Sequence, residues 1–194
     1  MNTAARLVLV LVLMAPDAAC AHPAFPGIDG ITGGLLHPLF VLAHALAIVA
    51  TGLMIAQQMQ HWLLRVAFVF GLVAGSVAIA DAYVPTLVDV ALLVLAFVVA
   101  ALVALGKPLP QLLSGLLAVA IGGAIALDSP PDAMTVRKAI ETQLGTFCSA
   151  TVFLYAVSEA ASRLKQSWQH IGVRIAGSWI AASALLALTL QFAK

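Results

Sequence analysis

The sequence predicts an all-α integral membrane protein, a bundle of about six transmembrane helices behind a cleavable N-terminal signal peptide. Three observations predict it. Of 194 residues, 63% are hydrophobic and only 9% charged, whereas a soluble domain carries about a quarter charged residues. The apolar residues fall into runs of bilayer-crossing length, separated by short polar or Pro-containing breaks. The first twenty-one residues have the layout of an export signal. Nine Lys or Arg and eight Asp or Glu cannot cover a core this apolar, so the bilayer must act as solvent. A formal charge of +1 without a basic cluster excludes nucleic acid as a partner. Two cysteines, Cys20 and Cys148, make no disulfide framework.

Residues 1–21 start with a polar stretch holding Arg6, pass through the apolar run Leu7 to Met14, and close on Ala19-Cys20-Ala21, the small-x-small pattern of signal peptidase cleavage. Cleavage there makes His22 the mature N-terminus and leaves residues 22–194 as one transmembrane domain. Two alternatives stand beside it: an uncleaved first helix, and lipidation at Cys20. Asp17 opposes the second, because it occupies the position where a lipobox wants an apolar residue.

Hydropathy divides the mature chain into spans at 35–56, 62–80, 86–105, 111–127, 143–161 and 171–191. The first ends at Gln57-Gln58-Met59-Gln60-His61 and the second at Asp81-Ala82-Tyr83-Val84-Pro85. The third stops at Gly106-Lys107-Pro108-Leu109-Pro110, and the fourth at Asp128, opening a polar break that runs to Thr142. The segment from Ser162 to His170 separates the last two. Gly71 and Gly75 in the second span, Ser114-Gly115 and Gly122-Gly123 in the fourth, and an Ala-rich sixth span supply small residues where backbones can approach. The sequence contains no repeat of solenoid length and no CxxCH, Walker, Rossmann or HExxH motif, so nothing in it points to an enzyme.

With the mature N-terminus outside, Arg65, Lys107, Arg163, Lys165 and Arg174 fall on the cytoplasmic side, against Arg137, Lys138 and Lys194 outside, in the positive-inside sense. The acids divide more sharply. Asp29, Asp81, Asp89, Asp128, Asp132 and Glu141 fall toward the outer face, and Glu159 toward the cytoplasm. Either this forms an acidic mouth for a cation, or it is what positive-inside sorting leaves behind.

The chemistry gathers near the front. His37 and His44 are seven residues apart, nearly two helical turns, so one continuous helix would place them on one face about 10.5 Å apart along its axis. Two successive stations fit that spacing better than one chelate, unless the helix starts at Pro38 and His37 swings free as its cap. The face continues through Thr51 and Gln58. Imidazole is a common ligand for Ni, Co, Cu and Zn, and an ionisable group inside a span is a functional hypothesis by default. The plainer reading is a histidine bonded to a neighbouring carbonyl or hydroxyl for packing. His61 and His170 lie in breaks and read as solvated. His22, if processing exposes it, offers its α-amine and its imidazole together, a donor pair suited to Cu(II) or Ni(II).

A second stripe, Cys148, Thr151, Tyr155, Glu159 and Ser162, runs down the fifth span at helical spacing. It fits a polar lining facing the bundle interior, with an exit route past Tyr155 and Glu159, and it fits interhelical hydrogen bonding equally.

These features resemble the HupE/UreJ family of bacterial nickel and cobalt permeases. The family's first-span HPxxGxDH is similar to His37-Pro38-Leu39-Phe40-Val41-Leu42-Ala43-His44, with Val41 for the glycine and Ala43 for the aspartate. Its PxxxE resembles Pro85-Thr86-Leu87-Val88-Asp89, and its HGxAHGxE resembles Ile121-Gly122-Gly123-Ala124-Ile125-Ala126-Leu127-Asp128, with isoleucine at both histidines. TxLLH resembles Thr151-Val152-Phe153-Leu154-Tyr155, with Tyr155 for the histidine, and Arg174 and Gly177 fit the sixth span. The resemblance implies a metal set of His37, His44, Asp89 and Asp128, to which the leader argument adds His22. It implies no permanent cofactor, only a transported or bound nickel, cobalt or copper ion. Three functions follow: a secondary permease in the bacterial plasma membrane, an accessory protein handing an ion to a metalloenzyme-maturation partner, or a membrane scaffold without metal function. Met54 could add a copper-type donor but reads first as packing surface.

Overall fold

The computed structural model describes residues 30–80, 87–128 and 135–193, and among these every regular element is helical. The helices are α1 (Gly30–Phe40), α2 (Leu42–Ala56), α3 (His61–Ala80), α4 (Val88–Leu105), α5 (Gln111–Leu127), α6 (Val136–Ser162) and α7 (Ser167–Phe192). The leader, its cleavage site and His22 lie outside the described residues.

The second, third and fourth expected spans correspond to α3, α4 and α5 within two residues at each end. The fifth begins earlier than hydropathy suggests. Thr135 caps α6 by accepting from the Lys138 N–H, and an Arg137–Glu141 pair at 2.8 Å supports its first turns. Such a polar helical extension is invisible to a hydropathy window. The sixth gains a turn through a reciprocal Gln166–Gln169 capping box. His61 and His170 therefore sit in the first turns of α3 and α7 rather than in breaks; His170 is exposed and His61 half-buried.

The first span departs from expectation. It is two helices, α1 and α2, bent by 67° across Val41, whose backbone is extended at φ −79° and ψ 113°. Pro38 lies inside α1, where its missing N–H cannot bond the carbonyl of Gly34 and the helix is already weakened. Different neighbours then hold the halves: α1 lies mainly along α6, while α2 also packs on α4. Among the described residues four single helices are long and apolar enough to cross a membrane, and the bent pair makes a fifth if its two halves form one span. The helix α5 is apolar but has 17 residues, about 25 Å of rise against a hydrocarbon core of about 30 Å.

The broadest contacts are α3 with α5, α1 with α6 and α4 with α7, with α2 at the centre. Small residues set these pairs. A Cβ on Gly71 would meet the Val119 backbone, and one on Gly122 the Phe68 backbone; Gly34 and Gly145 lock α1 to α6 in the same manner. At one end of the bundle, Arg65 meets Glu159, Gln60 meets Gln111, and Arg174 donates to the Ala104 carbonyl at 2.9 Å to cap α4. At the other end, His44 meets Asp128, Ser76 meets Gln143, and Asp89 meets Gln191. This is the up-and-down arrangement of a multi-pass bundle. Exposed Trp62, Phe70, Leu112, Trp168 and Trp179 form part of its lipid-facing surface.

Candidate metal centre

His44, in the first turn of α2, is fully buried at 0% exposure. Its Nε2 lies 2.9 Å from Asp128 Oδ2. Asp128 caps the C-terminal end of α5, where the helix dipole disfavours a carboxylate and makes a donor partner valuable. An ionised carboxylate only accepts, so a neutral ring in this contact carries its proton on Nε2 and leaves Nδ1 as a lone pair. That Nδ1 is buried without a hydrogen-bond partner among the described residues, as is Nε2 of His37.

The bend at Val41 brings these groups together. The His37 and His44 ring centroids are 4.8 Å apart and the planes stand at 75°. The expectation of two stations separated by two turns is thus corrected: it assumed one straight helix, and the helix is broken between the two residues.

The other expected ligands are distributed differently. Asp128 acts on His44 as an orienting partner. Asp89 stands in the first turn of α4, where it favours the helix dipole; it accepts from Val90 N at 2.7 Å and from Gln191 Nε2 at 2.9 Å. Among the described residues no three His, Cys, Asp or Glu side chains gather closely enough to hold a metal by themselves, so Asp89 does not complete the imidazole pair. Ile121 and Ile125 are fully buried core residues, and Ala43 is buried beside His44. Below the pair, the polar residues of α2 and of the turn after it are structural. The Thr51 hydroxyl donates to the Ala47 carbonyl at 2.7 Å, and Gln58 accepts from Leu109 N at 3.0 Å, fixing the connection after α4. Met54 is buried packing.

The fifth-span stripe does not face the bundle interior. The buried face of α6 is Gly145, Thr146, Ala150, Leu154, Ser158 and Ala161, while Cys148 is exposed and Tyr155 is 38% exposed. Helical spacing identifies a shared face but not its direction, and here the small-residue face took the interior. Thr151, Tyr155 and Glu159 instead line an open lateral groove of about 520 Å³ with Arg65. Arg65 donates to Ser158 Oγ at 2.9 Å and Glu159 at 3.0 Å, and its guanidinium carbon stands 5.1 Å from the Tyr155 ring centroid. Arg163 holds the other Glu159 oxygen at 3.1 Å. Sequence reasoning treated Arg65 only as an orientation charge; a lone cation four residues into one span and a lone acid near the end of another were the available signal for their pairing.

The helices and the buried imidazole pair beside a carboxylate define the class: a multi-pass helical membrane protein with ionisable groups inside its bundle. Residues 9–187 match the family described as HupE / UreJ protein, and the chain belongs to that family. It is a family of nickel and cobalt transport or accessory proteins rather than enzymes, which supports a metal-related role at the membrane. No curated protein and no solved structure matches the chain.

Proposed function

We propose that the protein is a secondary permease of the bacterial plasma membrane that takes up a divalent transition metal ion, nickel or cobalt in the first place and copper as the alternative cargo. One observation carries this reading: the two unpartnered imidazole nitrogens, His37 Nε2 and His44 Nδ1, buried on rings 4.8 Å apart. A buried polar atom without a partner is costly in a bilayer-spanning bundle, and a cation repays that cost by accepting both lone pairs. Asp128 fixes the His44 tautomer and supplies negative charge behind the ring. Ile121 and Ile125 add no donors, so the ion is held weakly enough to leave. The acidic outer side would gather cations, and a mature N-terminus at His22 would add a capture point there; N-terminal sequencing that begins elsewhere removes that addition. No step is routed through Tyr155 or Glu159, whose carboxylate two guanidinium groups already hold.

A second reading, an accessory protein that holds one ion for a metalloenzyme-maturation partner, draws support from the donor count. A route favours successive weak sites, and the described residues provide one imidazole pair.

The test compares cell-associated nickel, cobalt and copper, by mass spectrometry, in cells with the native chain, equal amounts of His44→Ala, or empty vector. Accumulation well beyond one ion per chain that requires His44 is the result expected of a permease. A His44-dependent rise of about one ion per chain, as a single site would give, favours the accessory reading. No difference among the three overturns both and leaves a scaffold, in which His44→Ala changes only stability.

A further inference from the structure

Besides His37 Nε2 and His44 Nδ1, two more polar atoms at the Asp128 end of the bundle are buried without a partner: Gln143 Oε1 and Thr146 Oγ1, both on α6. Thr146 is 1% exposed. A circuit of contacts links the helices that carry all four. The backbone of Thr146 lies against Gly34, one turn before His37 on α1. Gln143, one turn before Thr146, donates its amide nitrogen to Ser76 Oγ at 2.8 Å. Gly75, beside Ser76 on α3, seats against Gly123 and Ala126 of α5, two residues short of Asp128. Asp128 holds His44, and the His44 ring meets His37. The circuit thus runs through five helices, α1, α2, α3, α5 and α6, at one end of the bundle.

Three of the four can act as acceptors. The Gln143 amide has committed its nitrogen to Ser76 and offers an oxygen. His44 has committed its N–H to Asp128 and offers a lone pair, and the Thr146 hydroxyl can accept as well as donate. Acceptors gathered at one end of the bundle, with a carboxylate beside them, suit a cation and the protons of water bound to that cation, and they suit an anion badly.

We propose that Gln143 and Thr146 are binding residues of this cation site, accepting hydrogen bonds from water that a divalent ion retains while the two imidazoles coordinate it directly. The proposal rests on the metal reading above and sharpens it. The cargo is a partly hydrated, high-coordinate divalent ion such as Ni²⁺ or Co²⁺, rather than a stripped, two-coordinate Cu⁺. The hydroxyl and amide stand in for donors that Ile121 and Ile125 cannot supply.

The test titrates Co²⁺ alone into the detergent-solubilised full chain and follows its visible absorption, whose intensity reports coordination number. The native chain should bind Co²⁺ with the weak absorption of a high-coordinate ion. Gln143→Met with Thr146→Val should weaken binding about tenfold, the scale of one or two lost hydrogen bonds, and intensify the absorption as the ion sheds water. Gln143→Met with Thr146→Ser should recover part of both. Thermal unfolding of each variant separates these effects from misfolding. An intense tetrahedral spectrum in the native chain overturns the proposal. So does a folded double valine and methionine variant with native affinity and spectrum; if His44→Ala loses Co²⁺ in the same series, the permease reading survives. A folded native chain that binds no Co²⁺ overturns both.

Discussion

His44 shows how much one carboxylate decides. Without Asp128 a neutral ring could carry its proton on either nitrogen; with Asp128 Oδ2 at 2.9 Å, the proton belongs on Nε2 and the lone pair on Nδ1. Asp128→Asn keeps an acceptor of the same shape but removes the charge. It should lower Co²⁺ or Ni²⁺ affinity by about 10- to 100-fold, the range for such supporting partners, with little change in thermal unfolding; equilibrium dialysis on the purified chain measures it. Asp89→Asn should leave metal affinity within about twofold, because its carboxylate serves Val90 and Gln191, and the modest cost falls on the junction of α4 with α7. At this scale the sequence was half legible. His37 and His44 declared themselves as ionisable groups in an apolar run, but their separation depended on a bend that pattern alone does not report. Gln143 and Thr146 escaped notice because a polar residue in a membrane helix is so often interhelical glue, and only an atom left without a partner distinguishes them.

Helices α3, α4 and α5 were readable almost to their ends, since Pro, Gly and charged breaks are strong punctuation and the apolar runs between them have one sensible fate in a bilayer. Two elements were not. The N-terminal turns of α6 are polar, so a hydropathy window passes over them although a cap and an ion pair hold them helical. The joint at Val41 arises from tertiary preference, α1 lying along α6 while α2 also engages α4, acting on a helix that Pro38 had already weakened. The glycine seams carry a prediction of their own. Gly122→Val or Gly71→Val forces a methyl-bearing carbon into a facing backbone, and overpacking of this kind costs about 1–3 kcal/mol. Each should lower the thermal midpoint of the detergent-solubilised protein, whereas Gly115→Val, where nothing lies within 4 Å, should not.

For the molecule as a whole, 9% charge and +1 net charge made a bilayer-embedded bundle the only economical reading of the chain. The permease proposed above, having no nucleotide-binding motif of its own, would draw on the membrane potential or on a partner, and a divalent ion moving inward gains about 4.6 kcal/mol per 100 mV of potential. Collapsing the potential with an ionophore should therefore bring His44-dependent metal accumulation down toward the external level, measured by the same mass spectrometry; accumulation indifferent to the potential would exclude this source of drive. The break at Val41 adds something a rigid pocket lacks. His37 belongs to a short helix seated on α6 and His44 to the central helix, so the two imidazoles are jaws mounted on different parts of the bundle. Metal–ligand bonds tolerate displacements of only about 0.2 Å. A small turn of one backbone residue would thus loosen the grip on an ion held between them, with no need to alter either histidine.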